Sequence, residues 1–366
     1  VSAEESDISP MANDSVFAGG TGTKDDPYQV STPEQLNEVR NYLDKYFIQI
    51  NDIDMTEATS EGGTYWNDGA GWIPINEFVG HYDGRNYKII GLNIYEYHHF
   101  VGLFGHAYGY ATIENIVLTD GEYIIISENS SIEKENNCMI GGICGAIEGN
   151  STNIRNCINK NKINISLDAY STYNRLCYVG GICGRAYKIS DCKNYGNISV
   201  STPNYSTTCI GGIIGIYGNF DVSNCLNRGD INCISAGQRL NMGGIAGYKG
   251  DTPYTYYTNS DLYMCLNTGA INVFMKNGCE DNYEIGGIVG NLSMEGNIND
   301  CYNTGDIVPI NLSNFLASHY VGGICGCVGA DEKNNIQRCY NVGSGQAALG
   351  RHRAMTTPWL TERHGY

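Results

Sequence analysis

Charge is what this chain of 366 residues has least of: 17% of its positions are Asp, Glu, Lys or Arg, against about 25% in an ordinary soluble protein. Basic residues are the scarcer half, with 22 Lys plus Arg facing 39 Asp plus Glu and a formal net charge of −17. A surface of that sign repels phosphate backbones and anionic lipid, which argues against DNA, RNA and membrane surfaces as partners. No run of 18 apolar residues occurs, so no segment reads as a membrane-inserted helix. Cys pairs with C-x-x-C spacing are also missing, so the thiols do not read as a metal site, and no cofactor is expected.

What the chain has instead is 47 Gly, 41 Asn and 28 Tyr. Glycine this frequent penalises helices, while Ile, Tyr and Asn favour strands and tight turns, so an all-helical protein is excluded. Fifteen Cys make up about 4% of the chain, short of the 8–10% or so that marks a small disulfide scaffold. The polar, acidic stretch Val1 to Ser15 reads as the start of a mature chain after signal-peptide removal, or as a cut from a longer protein.

Internal repetition decides the expected fold. The segment Ile140 to Gly145 (IGGICG) returns at Val179 to Gly184, Ile210 to Gly215, Met242 to Gly247, Ile285 to Gly290 and Val321 to Gly326, with a degenerate first copy at Val101 to Gly105. Each copy is followed by a second signature of the type Ile298 to Ile307 (INDCYNTGDI). The cores are short, Ile- and Val-rich and bounded by Gly-Gly or Asn-Thr-Gly-Asp, with no helical period. Stacked units of this kind predict an all-β solenoid, a right-handed parallel β-helix with about one repeat per coil.

Stacking turns recurrent residues into ladders about 4.8 Å apart. Cys157, Cys192, Cys225, Cys265, Cys301 and Cys339 are expected as one inward column of free, buried thiols. A bridge between stacked neighbours meets the Cα spacing a disulfide needs, but parallel in-register side chains give the wrong torsion for most pairs. Asn159, Asn194, Asn227, Asn267, Asn303 and Asn341 are expected as a column of amides bonded to the coils above and below. Gly196, Gly229, Gly269, Gly305 and Gly343, two residues later, are expected at turns with positive φ.

Before the repeats, Thr32-Pro33-Glu34-Gln35 reads as a helix start with a capping box, and Leu36, Val39 and Leu43 supply an apolar stripe. A short amphipathic helix of this kind covers the open end of a solenoid. The expected organisation is residues 1–16 as a flexible start, 17–100 as a capping module with the first coils, 101–343 as the repeats, and 344–366 as an atypical tail.

The strongest ligand candidates are aromatic. Tyr254, Tyr256, Tyr257 and Tyr263 lie in the longest interval between a Gly-Gly core and its Cys, where they could stack on sugar rings or anchor a protein; Trp66 and Trp72 are a second pair. His81, His98, His99 and His106 fall in the first coils and read as exposed polar decoration rather than a metal or acid–base site. Gly19 to Asp25, with Asp52, Asp54 and Asp83 nearby, faintly matches a glycine-rich calcium repeat but reads as a turn. The repeat cores carry almost no charge, so no catalytic residue is assigned.

The GGICG and NCYNTGDI signatures resemble the GLUG-motif repeats of bacterial surface proteins, and the lead-in from Gly19 resembles the stretch that precedes them in secreted adhesin-like proteins. The resemblance covers roughly residues 17–343. It implies a secreted or cell-surface β-helix that binds a host surface protein or a glycan, or acts as a spacer, as a monomer or within a longer chain. GLUG repeats also accompany immunoglobulin-A-specific metallopeptidases, but no H-E-x-x-H motif exists here to carry that activity. A polysaccharide-active β-helix enzyme, or the non-catalytic repeat region of a surface metallopeptidase, is the alternative.

Overall fold

The computed structural model describes residues 16–344, apart from position 97 and the segments 129–136, 150, 169–175, 203–206, 219–220, 237–238, 251–259, 275–281, 294, 311–318 and 330–333. Its strands form five sheets of ten, nine, seven, seven and six strands. Within the sheets the pairing is parallel, coil on coil. This is a parallel β-helix.

One coil illustrates the rest. Cys138–Gly141, Cys144–Ile147, Asn153–Arg155, Ile158–Asn159 and Lys162–Asp168 each supply one strand to a different sheet. The leading glycines of the six full repeats, from Gly141 and Gly180 to Gly286 and Gly322, are register partners, so a repeat is a coil whatever the length of its insertion. Insertions are tolerated because lengthening a loop costs little closure entropy. The degenerate copy joins the stack through Val101 beside Ile140 and Phe104 beside Cys144, one residue shorter across the bend.

The interior is a column of Ile, Val, Leu and Cys, with large rings at the N-terminal end. Phe47, Phe78, Tyr82 and Phe104 are fully buried there and contact one another at ring-centroid distances of 4.8–6.3 Å. The helix spans Pro33–Glu38, with the Thr32 hydroxyl accepting from the Gln35 amide; Leu36 and Val39 are buried in the core. The Gln35 side chain accepts from the Ser31 amide rather than closing the expected box on Thr32. No helix of the described residues is long and apolar enough to cross a membrane.

The turn before each ladder Cys explains a recurrent pattern. Asn156, Asp191, Asn224, Met264, Asp300 and Arg338 all adopt left-handed φ, between 50 and 58°. Asn and Asp tolerate this conformation because the short polar side chain bonds locally. The glycines after the ladder Asn do not adopt it, contrary to expectation. Proximity requires them: a Cβ on Gly229 would lie 2.0 Å from the Gly196 carbonyl oxygen, and one on Gly305 would lie 2.0 Å from that of Gly269. Coil-to-coil contact, not backbone twist, selects glycine there.

Candidate functional site

The Asn column is hydrogen-bonded throughout. Asn159 donates Nδ2 to Asn194 Oδ1 at 3.0 Å, and the chain continues through Asn227, Asn267 and Asn303 to Asn341 at 2.7–2.9 Å. The second Nδ2 hydrogen of Asn194, Asn227, Asn267 and Asn303 goes to the carbonyl two residues on, at 2.9–3.0 Å. On its other side each amide touches a Gly-Gly bend: a Cβ on Gly212 would stand 2.2 Å from Asn227 Cγ. The two sequence signatures are therefore two halves of one contact, an amide seated on a glycine.

The Cys column lies beside it. Cys157, Cys192, Cys225, Cys265 and Cys301 are buried, and Cys339 at the last coil is half-buried. Each thiol points at the carbonyl two residues earlier, at 3.1–3.4 Å. Burial holds the Cys192 and Cys265 thiols well above their ordinary range, so they are protonated packing groups rather than nucleophiles.

Trp72 cannot serve as a ligand platform. It is fully buried, donates Nε1 to the Leu103 carbonyl at 3.0 Å and lies under the Arg40 guanidinium at 5.0 Å. Trp66 is half-buried with its ring edge-on to Tyr95 at 5.5 Å. Tyr263 ends the strand Ser260–Tyr263 and is half-buried; Tyr254, Tyr256 and Tyr257 lie outside the described residues. The carboxylates of Asp52, Asp54 and Asp83 accept from the backbone amides of Lys88, Thr56 and Arg85 at 2.8–2.9 Å, which accounts for them as turn residues.

His99 is exposed as expected, but His81, His98 and His106 are half-buried and correct the expectation of exposed decoration. His106 is 14% exposed in its side chain, stacked on Phe100 at 4.8 Å and flanked by carboxylates: Nδ1 lies 3.2 Å from Glu77 Oε1, and Nε2 lies 3.8 Å from Glu148 Oε2. Arg185 from the next coil closes on Glu148 at 3.0 Å. Burial works against the charged ring, but Glu148 and Glu77 outweigh it and raise the His106 pKa. The His106 ring beside it, with Arg185, lowers that of Glu148. His81 binds Glu114 at 2.9 Å, and Glu114 also holds Arg155.

His106 heads one of two columns that the repeat pattern did not single out. Across the Gly-Gly bend, Met139 and Ala146, Tyr178 and Arg185, Cys209 and Ile216, Asn241 and Tyr248, and Glu284 and Asn291 occupy equivalent places in successive coils. The first five apolar members form a cluster separate from the interior, with Phe100, Leu176 and Tyr248 packed against it. Farther along it turns polar. The Glu284 carboxylate accepts from Asn291, lies 3.7 Å from Arg239 and is almost wholly buried. Burial and this carboxylate push the Cys327 thiol up to about 11. The available signal is variability: beside a constant Gly-Gly, one position runs from Met139 to Glu284 and another from Ala146 to Asn291.

The coil that contains this polar stretch is also the one that matches a known family. Residues 281–308, the strand pair around Glu284 and the Cys301–Asn303 turn, fit the family model of the GLUG motif. The chain carries a GLUG motif there. A protein of Evansella cellulosilytica, provisionally named a Gly-rich membrane protein, is 40% identical over 123 residues, covering 32% of this chain and 13% of that protein. Halomucin of Haloquadratum walsbyi is 34% identical over 103 residues, covering 27% of this chain and 1% of its own length. The chain thus matches only a small fraction of either relative. A crystal structure from Bacteroides ovatus, titled provisionally an immunoglobulin A1 protease, superposes with a TM-score of 0.50 at 16% identity over 88% of this chain and 87% of that one. That likeness concerns the fold.

Proposed function

We propose that this chain is an extracellular, surface-displayed segment of a longer polypeptide, a stiff adhesin-like shaft that carries binding side chains away from the cell. The observation carrying this reading is the unbroken amide ladder from Asn159 to Asn341, which ties each coil to the next with a buried hydrogen bond. A stack so tied resists bending, which is what a spacer requires and what a freely jointed linker lacks. The GLUG motif and the names of the two relatives agree with display at a surface. Antibodies against the purified chain should label intact cells that make it; labelling only after lysis overturns the reading.

One observation favours the rival, a glycan-active enzyme: Glu77, Glu148 and Arg185 come from neighbouring coils and meet at His106. Paired carboxylates beside a proton-holding ring are general acid–base material. Incubation with acidic and neutral polysaccharides, followed by an assay for new chain ends, tests it. Product formation abolished by Glu148→Gln would make this second reading the right one.

A further inference from the structure

The outer face of the nine-stranded sheet holds a set of groups that the fold itself does not use. Lys193 lies on that sheet, Lys160 and Arg228 just past the ends of its strands in neighbouring coils, and Lys162 at the start of the adjoining strand of the six-stranded sheet; all four are exposed. No ion pair among the described residues engages any of the four. Carboxylates of the same coils point to amides, though they keep their charge: Glu122, the register partner of Lys162, accepts from Asn164 at 2.7 Å, Asp191 from Asn224 at 2.6 Å and Asp230 from the Ala270 amide at 2.9 Å. A chain of net charge −17 thus carries a local cluster of exposed cations without ion-pair partners among the described residues. At physiological salt, fields fade within about 8 Å, so contact with this patch is governed by its own cations rather than the net charge.

Rings continue the same face. Arg228 lies over the Tyr195 ring at 5.7 Å, which leaves the guanidinium edge free to donate. Two coils farther on, Tyr302 and Tyr340 are register partners with centroids 5.0 Å apart, 45% and 52% exposed. At about 4.8 Å per coil, Arg228 and Tyr302 are separated by roughly 10 Å along the axis. Lys193, Leu226, Leu266, Tyr302 and Tyr340 share one register column, and Lys160, Lys162 and Arg228 lie beside it.

We propose that this face binds a linear acidic polysaccharide lying along the solenoid axis, its carboxylates on Lys160, Lys162, Lys193 and Arg228 and the apolar faces of its sugars on Tyr302 and Tyr340. Guanidinium and ammonium groups supply charge-assisted hydrogen bonds to carboxylates, and tyrosine faces supply rigid apolar area. Charge density separates this ligand from duplex nucleic acid, whose one charge per roughly 1.7 Å exceeds what four cations spread over three coils can match. The inference rests on the reading of the chain as a displayed binding shaft and names the ligand class of that shaft.

The test is titration of the purified chain with oligogalacturonate, its carboxyl-reduced counterpart, a heparin-type sulfated chain and duplex DNA. Oligogalacturonate binding is expected to weaken about ten-fold on carboxyl reduction and in the double variant Lys193→Gln/Arg228→Gln, and to fall with added salt. Tyr302→Ala/Tyr340→Ala should weaken it about five-fold, with the melting curve unchanged because both rings are exposed. Heparin binding sensitive to the same variants supports the site with sulfate as the anion. Equal binding of the carboxyl-reduced chain, preference for DNA, or binding indifferent to both double variants overturns the proposal. Intact-cell labelling without any glycan binding overturns it as well, while leaving the displayed shaft standing.

Discussion

At the scale of single residues, two side chains show why Asn recurs and what its absence costs. Asn267 sits mid-ladder, accepting from Asn227 and donating to Asn303 and the Gly269 carbonyl. Removing a buried amide leaves its partners unpaired, so Asn267→Ala should cost about 1–3 kcal/mol in a denaturant titration. Met264 is the opposite case. It occupies the left-handed turn position that Asn or Asp fills in four of the other five coils, and it is 57% exposed. Left-handed backbone strains an unbranched apolar residue and little burial is lost by replacing it, so Met264→Asn should stabilise by about 0.5–1 kcal/mol. A melting point lowered by Met264→Asn would mean that the thioether packs against something that its exposure conceals.

At the scale of elements, the sequence made the coil legible and its outside illegible. Six copies of Gly-Gly-Ile and Cys-x-Asn fixed the register of five sheets, because identical residues one coil apart can only stack. The same logic misread the glycine after each Asn, since a single sequence cannot separate a turn from a collision with the coil beneath. Trp72 was misplaced for a related reason: a tryptophan near the start of a solenoid is as well suited to plugging it as to binding sugar. The His106 cluster was invisible because Glu77, Glu148 and Arg185 are distant in sequence and meet only through stacking.

That cluster gives the β-helix a pH dependence with a definite sign. His106 has a raised pKa, so its contribution is present below the unfolded value of about 6.5 and is lost as pH rises through the folded one. Glu148 has a lowered pKa, so its contribution is present above its unfolded value of about 4.3 and is lost as pH falls through the folded one. Stabilisation by the pair is therefore greatest between about pH 4.3 and 6.5. His106→Gln should flatten the alkaline fall of the melting temperature, by no more than a partly exposed ion pair supplies, about 1 kcal/mol. A variant whose melting profile keeps the wild-type slope above pH 6.5 would place the titrating group elsewhere.

At the scale of the whole molecule, a solenoid in which each coil touches only its neighbours should fail locally before it fails globally. Gly229 and Gly343 provide a matched pair of wedges: a Cβ would lie 2.0 Å from the Gly196 carbonyl oxygen in the first case and 2.1 Å from that of Gly305 in the second. Gly229 is in the middle of the stack, while Gly343 is on the last described coil. Ala at position 343 can be relieved by fraying one coil, which exposes little. Ala at 229 must force apart a pair of coils that are both held from the far side, so the strain passes to the interfaces above and below. Gly229→Ala is therefore expected to split the denaturant transition in two, or to lower its slope, because slope follows the surface exposed in each step. Hydrogen exchange should accelerate between about Asn194 and Asn267, while the aromatic end around Phe47, Phe78 and Phe104 keeps its protection. Gly343→Ala should leave one transition with its slope intact and raise exchange only in the last coil. If both variants lower stability equally with unchanged slopes, the coils unfold as one unit and nearest-neighbour stacking does not describe this protein.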